Sequence, residues 1–183
     1  MTGVSIRPAR PADAGVLTEL IRSAYRGQDS RAGWTSEADL VEGERISRDQ
    51  VLAMISAGGS LLLIGLLGGA DAGQLVACCQ LRDEGAGLAY FGTFAVSPQA
   101  QGAGLGRQLM AEAERQAVAA FAATRLEMTV LAQQDKLIAW YERRGFRLTG
   151  ETEPFPYDDL RFGLPRRADL HFVVLSKDLH ADK

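Results

Sequence analysis

"FAVSPQAQGAGLGRQLM", Phe94 to Met110, is the stretch on which the reading of this fold turns. A strand-like apolar run is cut by Ser97-Pro98, glycines follow at 102, 104 and 106, and the residues from Leu105 onward favour a helix. A chain that passes from strand through a glycine turn into a helix leaves the first-turn N–H groups without internal partners, near the positive end of the helix dipole. Such a turn can hold an anion. The alternative is a glycine-rich turn that only caps a structural helix.

Two familiar glycine motifs fail here. A dinucleotide fingerprint needs a third glycine where this chain has Arg107 or Leu109, and the hairpins before the loop do not make a βαβ unit. A phosphate loop of the Gly-Lys-Ser/Thr kind fails because the helix opens Gly-Arg-Gln. An anion at these N–H groups would meet Gln101 as a neutral donor and Arg107 as a charge.

Upstream, "VSIRPA" reads as a strand and Asp13 to Tyr25 as an amphipathic helix, with Ala14, Leu17, Leu20, Ile21 and Ala24 on one face. A long polar stretch, "RGQDSRAGWTSEADLVEGERI", follows. "SRDQ" at Ser47 fits a capping box that opens a second helix ending at Gly58-Gly59. "SLLLIGLL", "QLVACCQLR" and "LAYFGTFAV", joined by short Gly-rich turns, predict an antiparallel meander. Downstream come a helix from Leu105, the strand "RLEMTVLA", the helix "DKLIAWYERRGF" closed by Gly145, and strands around "FRLTGET" and "LHFVVLSK" flanking "PFPYDDLRFGLPRRAD".

The 183 residues suit one domain, 1–183, and an apolar fraction of 46% supplies a core. Net charge is −3, and the 17 arginines form no block, which argues against nucleic acid as a partner. "MTGVSIRPARPADAG" lacks the apolar core of a signal peptide, and "LLLIGLL" is far short of the roughly 18 residues of a membrane span. The expectation is a cytoplasmic protein with no membrane partner. Cys78 and Cys79 are adjacent on a strand and point to opposite faces, so they read as packing residues and neither a disulfide nor a metal site.

Gln101-Gly102-Ala103-Gly104-Leu105-Gly106 resembles the Gln/Arg-x-x-Gly-x-Gly/Ala motif of the GNAT N-acetyltransferases, and "IRPARPADAGVL", "FAVSP" and "AWYERRGF" are similar to three further segments of that family. The resemblance implies an α/β fold with a mixed, mostly antiparallel sheet of six to seven strands and helices on both faces. It implies acetyl-CoA as cofactor and no metal. It also implies that Phe94, Ala95 and Val96 meet the pantetheine arm in a gap between splayed strands, that Gln101 to Arg107 surround the pyrophosphate, and that Tyr141 lies beside the thioester sulfur. Seven residues before that tyrosine the family often has Asn, where this chain has Gln134.

Acyl transfer from a thioester to an amine needs a proton for the departing thiolate, and a phenol with pKa about 10 is suited to donate it. Tyr141 can serve as that acid; periodicity alone also allows a core aromatic. Glu127 and His171 are the nearest candidates for a base, each with a plain structural reading beside it. For the acceptor, Trp34, Glu37, Asp39 and Glu44 in the polar stretch offer an aromatic and carboxylates to a cationic amine, or form a solvated face. Tyr157, with Asp158 and Arg161, makes a second candidate wall, and an arginine facing the site would favour an amine that also carries a carboxylate. The functional expectation is acetylation of a small primary amine, with protein N-terminal or lysine acetylation and a non-catalytic acyl-CoA sensor as alternatives. A homodimer stays open.

Overall fold

The computed structural model describes residues 4–26, 36–43, 45–70, 73–102 and 104–180. Its main sheet has seven strands in the order β1-β3-β4-β5-β6-β9-β7. These are β1 (Val4–Pro8), β3 (Ser60–Leu67), β4 (Gln74–Gly85), β5 (Leu88–Val96), β6 (Arg125–Leu131), β7 (Arg147–Pro154) and β9 (His171–Asp178). Two short strands, β2 (Val41–Glu42) and β8 (Leu164–Pro165), pair with each other apart from it. The helices are α1 (Ala14–Tyr25), α2 (Arg48–Ser56), α3 (Leu105–Phe121) and α4 (Asp135–Glu142).

Helix α2 starts as its sequence predicts: the Ser47 side chain accepts from the Gln50 N–H at 3.2 Å while Gln50 Oε1 accepts from the Ser47 N–H at 2.7 Å. Gly145, at φ +90°, follows α4 in the left-handed region that glycine takes without penalty. Arg7 on β1 clamps Asp13 with two hydrogen bonds, and the Arg10 N–H adds a third, which fixes the turn from β1 into α1.

The two faces of the sheet carry separate cores. Leu17, Ile21 and Ala24 of α1 and Val51 of α2 pack with Leu62, Ile64, Cys78 and Ala95. On the other face Leu105, Leu109, Ala113 and Ala117 of α3, with Leu137 and Tyr141 of α4, pack on Leu63, Cys79, Leu81 and Phe91. Cys78 and Cys79 thus divide between the faces, both buried and free, and burial pushes the Cys78 thiol up to about 12.

Every neighbouring pair in the main sheet is antiparallel except β5 and β6. A parallel pair needs a crossover, and α3 supplies it. The glycine loop therefore does open a β-α-β crossover. This corrects the reading from the hairpins before the loop, which could not show how β6 would return, and the dinucleotide reading falls on glycine spacing alone.

The β5–β6 pairing covers only Leu88↔Arg125, Ala89↔Leu126 and Tyr90↔Glu127. Beyond it, β5 stays with β4 as far as Val96↔Ala77, and β6 stays with β9 as far as Leu131↔Phe172, so the sheet parts. A bulge marks the parting: Ala89 and Phe91 face the α3 core, and after one extra residue Phe94 and Val96 face it again. Thr93 sits in the bulge at φ +46°, an outlying conformation for a β-branched residue.

Candidate active site

The parting of β5 from β6 leaves the outer edge of β5 beyond Tyr90 without a strand partner, and the glycine loop continues from that edge. Ser97 N–H donates to the Val76 carbonyl at 2.7 Å, Pro98–Ala100 makes one turn of 3-10 helix, and Gln101 Nε2 donates back to the Val96 carbonyl at 3.0 Å. The Gln101 amide nitrogen is thus engaged in shaping the loop. Gly104, the residue that caps α3, has φ +78°, and α3 has neither a side-chain cap nor an acidic residue in its first turn. Its first N–H groups keep their capacity for an external acceptor.

The glycines have different causes. Gly102 and Gly104 take left-handed backbone at φ +89° and +78°. Gly106 does not; a Cβ there would lie 3.1 Å from Phe94 Cζ and 3.4 Å from Trp140 Cζ2, a contact that the aromatic rings would have to yield to by a few tenths of an ångström.

A cavity of about 610 Å³ runs along this loop. Phe94, Val96, Gln101, Gly102, Gly104, Leu105, Gly106 and Arg107 line it from β5, the loop and α3, and Leu137, Trp140 and Arg144 from the α4 region. Of the remaining residues expected at the cofactor, Ala95 is buried in the α1 core, Ala103 lies outside the described residues, and Gln134 lines a second cavity instead.

That second cavity, also about 610 Å³, opens on the other side of the gap, and Phe94 and Leu137 line both. Tyr141 lines it too, 4% exposed and packed edge-on against Trp140 and Phe146. Burial, reinforced by the neighbouring Tyr25 and Cys79, holds its phenol well above the ordinary value, so it keeps its proton at every working pH. Tyr25 donates its hydroxyl to the Phe94 carbonyl at 2.5 Å, tying α1 to the bulged strand. Across the gap the Tyr90 hydroxyl and Thr129 Oγ1 share a hydrogen bond of 2.8 Å.

The predicted acceptor residues fall in different places. Glu37 lines the second cavity, between Arg26 at 3.5 Å and Arg45 at 3.9 Å. Asp39 is exposed and lines neither cavity, and Trp34 and Glu44 lie outside the described residues. Tyr157 lines neither cavity: its hydroxyl accepts from the Leu170 N–H at 2.8 Å and donates to the Arg167 carbonyl at 3.0 Å, while its ring packs edge-on to Phe155, which does line the second cavity. Glu127 lines it and pairs with Arg125 at 3.2 Å; His171 is exposed and lines neither.

Sequence reasoning missed Tyr25, Arg26, Arg45 and Arg82 in the second cavity and Trp140 and Arg144 in the first. Tyr25 reads as one more apolar position of α1. Arg26 carries no local signal: its role comes from its guanidinium donating to the Phe162 carbonyl at 2.8 Å, 136 residues away. That bond and the β2–β8 pair join the two candidate acceptor walls.

A family model described as the acetyltransferase (GNAT) family matches residues 18–146. No curated protein matches the chain by sequence. Among solved structures, the Salmonella typhimurium protein yncA, solved with its cofactor acetyl-CoA, superposes with a TM-score of 0.69 at 19% identity, over 100% of this chain and 97% of that one. The ribosomal-protein-S18-alanine N-acetyltransferase of Escherichia coli gives 0.70 at 15% identity, over 99% and 97%. A chimera of the Vibrio cholerae spermidine N-acetyltransferase SpeG with hSSAT gives 0.68 at 15%, over 96% and 95%. Among the described residues no helix is long and apolar enough to cross a membrane, and no group of three or more His, Cys, Asp or Glu could hold a metal ion.

Proposed function

The chain belongs to the acetyltransferase (GNAT) family, and from that premise we propose that it moves acetyl from acetyl-CoA to the primary amine of a small molecule by direct attack on the thioester. The observation that carries this reading is the meeting of two cavities at Phe94 and Leu137, where the sheet parts and Tyr141 is buried. The residues of the first cavity fit a CoA thioester. Unfilled N–H groups at the start of α3 and Arg107 suit its pyrophosphate, and the open edge of β5 can pair with the amides of a pantetheine arm as an added strand would.

The cofactor supplies the activated acyl group. The amine nitrogen bonds to the thioester carbon, the carbon–sulfur bond breaks, and Tyr141 hands its phenolic proton to the leaving sulfur. Burial keeps that proton in place until the sulfur carries charge. The proton lost by the amine leaves through the second cavity, and one proton returns to Tyr141, which lines the same cavity, so the enzyme is restored. Glu37, Glu84 and Glu127 there each have a guanidinium within 4 Å, whereas Glu153 has none among the described residues and is our choice of acceptor for it.

A small acceptor is favoured over a protein because Arg26 and Phe162, which both line the second cavity, are tied by a hydrogen bond that joins its two sides, and its volume of about 610 Å³ lies within the usual range for small ligands. The spermidine and ribosomal-protein-S18-alanine N-acetyltransferases among the similar structures share the fold and span both choices. A panel of small amines and of peptides with free N-termini, incubated with acetyl-CoA and followed by thiol release, tests the reading. Turnover of peptides alone would overturn the small-molecule choice. Acetyl-CoA binding without turnover of any amine would make the protein a sensor.

A further inference from the structure

Arg144 lines the first cavity two residues beyond the end of α4, and the fold holds it there with no anionic partner among the described residues. Its guanidinium carbon lies 3.4 Å from the centroid of the Trp140 ring, and Nη1 donates to the Trp140 carbonyl at 2.9 Å, so the group is held over the indole. The Nε–Nη2 edge remains, the side of a guanidinium that takes two oxygens of one oxyanion in parallel. Nε is buried without a hydrogen-bond acceptor, a cost that an arriving anion would remove. Its surroundings repel it: burial first, then Arg143 and Arg107, pull the Arg144 pKa below the usual arginine value. Trp140, the platform, is itself set by Phe94 at 5.6 Å and by the absence of a side chain on Gly106.

A CoA thioester carries two separate anionic groups, the pyrophosphate and the phosphate on the ribose 3′ position. The loop N–H groups and Arg107 answer the first, while Arg144 reaches the same cavity from a different element, just beyond α4. We propose that Arg144, braced on Trp140, receives the ribose 3′-phosphate and makes this protein discriminate CoA thioesters from their dephospho forms. The inference rests on the acetyl-CoA reading above and adds to it a residue that selects between cofactor forms.

The test is calorimetric binding of CoA and of dephospho-CoA to the full chain, which needs no acceptor amine and no turnover. The wild type should bind CoA at least about tenfold more tightly, equivalent to about 1.4 kcal/mol. Arg144→Gln should bring the ratio to within about twofold while leaving the Kd for dephospho-CoA unchanged. Arg144→Lys, which keeps the charge and loses the flat fork, should fall between. Arg143→Gln removes the same charge from an exposed neighbour that does not line the cavity, and should keep the wild-type ratio. Equal binding of the two ligands by the wild type overturns the proposal without recourse to any variant. So does an Arg144→Gln or Arg144→Lys protein that weakens both ligands equally, which would assign Arg144 to the pyrophosphate. Failure of both ligands to bind the wild type would instead sink the acetyl-CoA reading, and this inference with it.

Discussion

Gly106→Ala should weaken acetyl-CoA binding while leaving the protein folded, and the size of the effect can be worked from two distances. The added Cβ would lie 3.1 Å from Phe94 Cζ and 3.4 Å from Trp140 Cζ2, against an ordinary carbon contact of about 3.5–4.0 Å. Phe94 must therefore retreat by several tenths of an ångström, and it has little room, with Phe91 at 5.4 Å and Tyr141 at 6.2 Å between ring centroids. Overpacking of this kind costs about 1–3 kcal/mol. Alanine in place of glycine inside a helix returns about 1 kcal/mol, so the net loss of stability should be about 0–2 kcal/mol. Binding should suffer more, because Phe94 lines both cavities and any movement reshapes the cofactor wall. A tenfold rise in Kd, about 1.4 kcal/mol, is expected. Gly104→Ala is the comparison: left-handed backbone costs an L-residue about 1–2 kcal/mol, while its Cβ meets only Arg107 Nη2 at 3.7 Å. That variant should lose stability and leave the aromatic wall alone. Calorimetry with acetyl-CoA and thermal unfolding on both proteins decide the matter. If Gly106→Ala melts about 2–4 °C higher, the whole propensity gain, and binds with the wild-type Kd, then Phe94 has slack and the close approach means nothing.

Tyr141→Phe should lower kcat by roughly 10 to 10⁴-fold with cofactor affinity nearly unchanged, and in the wild type any fall of rate caused by ionisation of this phenol should lie above the usual tyrosine range, since burial raises its pKa. An alkaline limb near pH 8 that disappears in the Phe variant would contradict that burial. Glu153→Gln should lower kcat by roughly 10 to 100-fold with acetyl-CoA affinity unchanged; an undiminished kcat would assign the proton to water. Asp13→Asn should cost about 1–2 kcal/mol near pH 7, because the Arg7 hydrogen bonds hold the Asp13 carboxyl below its ordinary value. A lowered folded pKa gives stability that is present above the unfolded value and lost as pH falls through the folded one, so denaturant titrations of the two proteins should converge in acid. A difference that persists below pH 2 would point to packing.

What could be read from the chain follows from the range of the forces involved. Helices and strands came from periodicity and caps within a few residues, and the Ser47–Gln50 box and the Gly145 stop are local in that sense. The gap that makes the site is not local. It needs one extra residue at Thr93 to shift the side-chain parity of β5, and it needs β9 to hold β6 on its far edge, a partner more than 40 residues further along. No period in "LAYFGTFAV" announces the first, and no single segment contains the second. The second cavity is less legible still, since Arg26 reaches Phe162, Arg166 N–H reaches the Leu40 carbonyl, and β2 meets β8 through two residue pairs. Contacts so few and so far apart in sequence carry no pattern. The three glycines show the same limit from the other side. As a string they look like one device for approaching a phosphate, yet Gly104 is required by its own backbone and Gly106 by two aromatic rings from β5 and α4. The motif is therefore two constraints superimposed, one on the turn and one on the packing of α3, and a family resemblance in the loop transmits both at once without saying which glycine serves which.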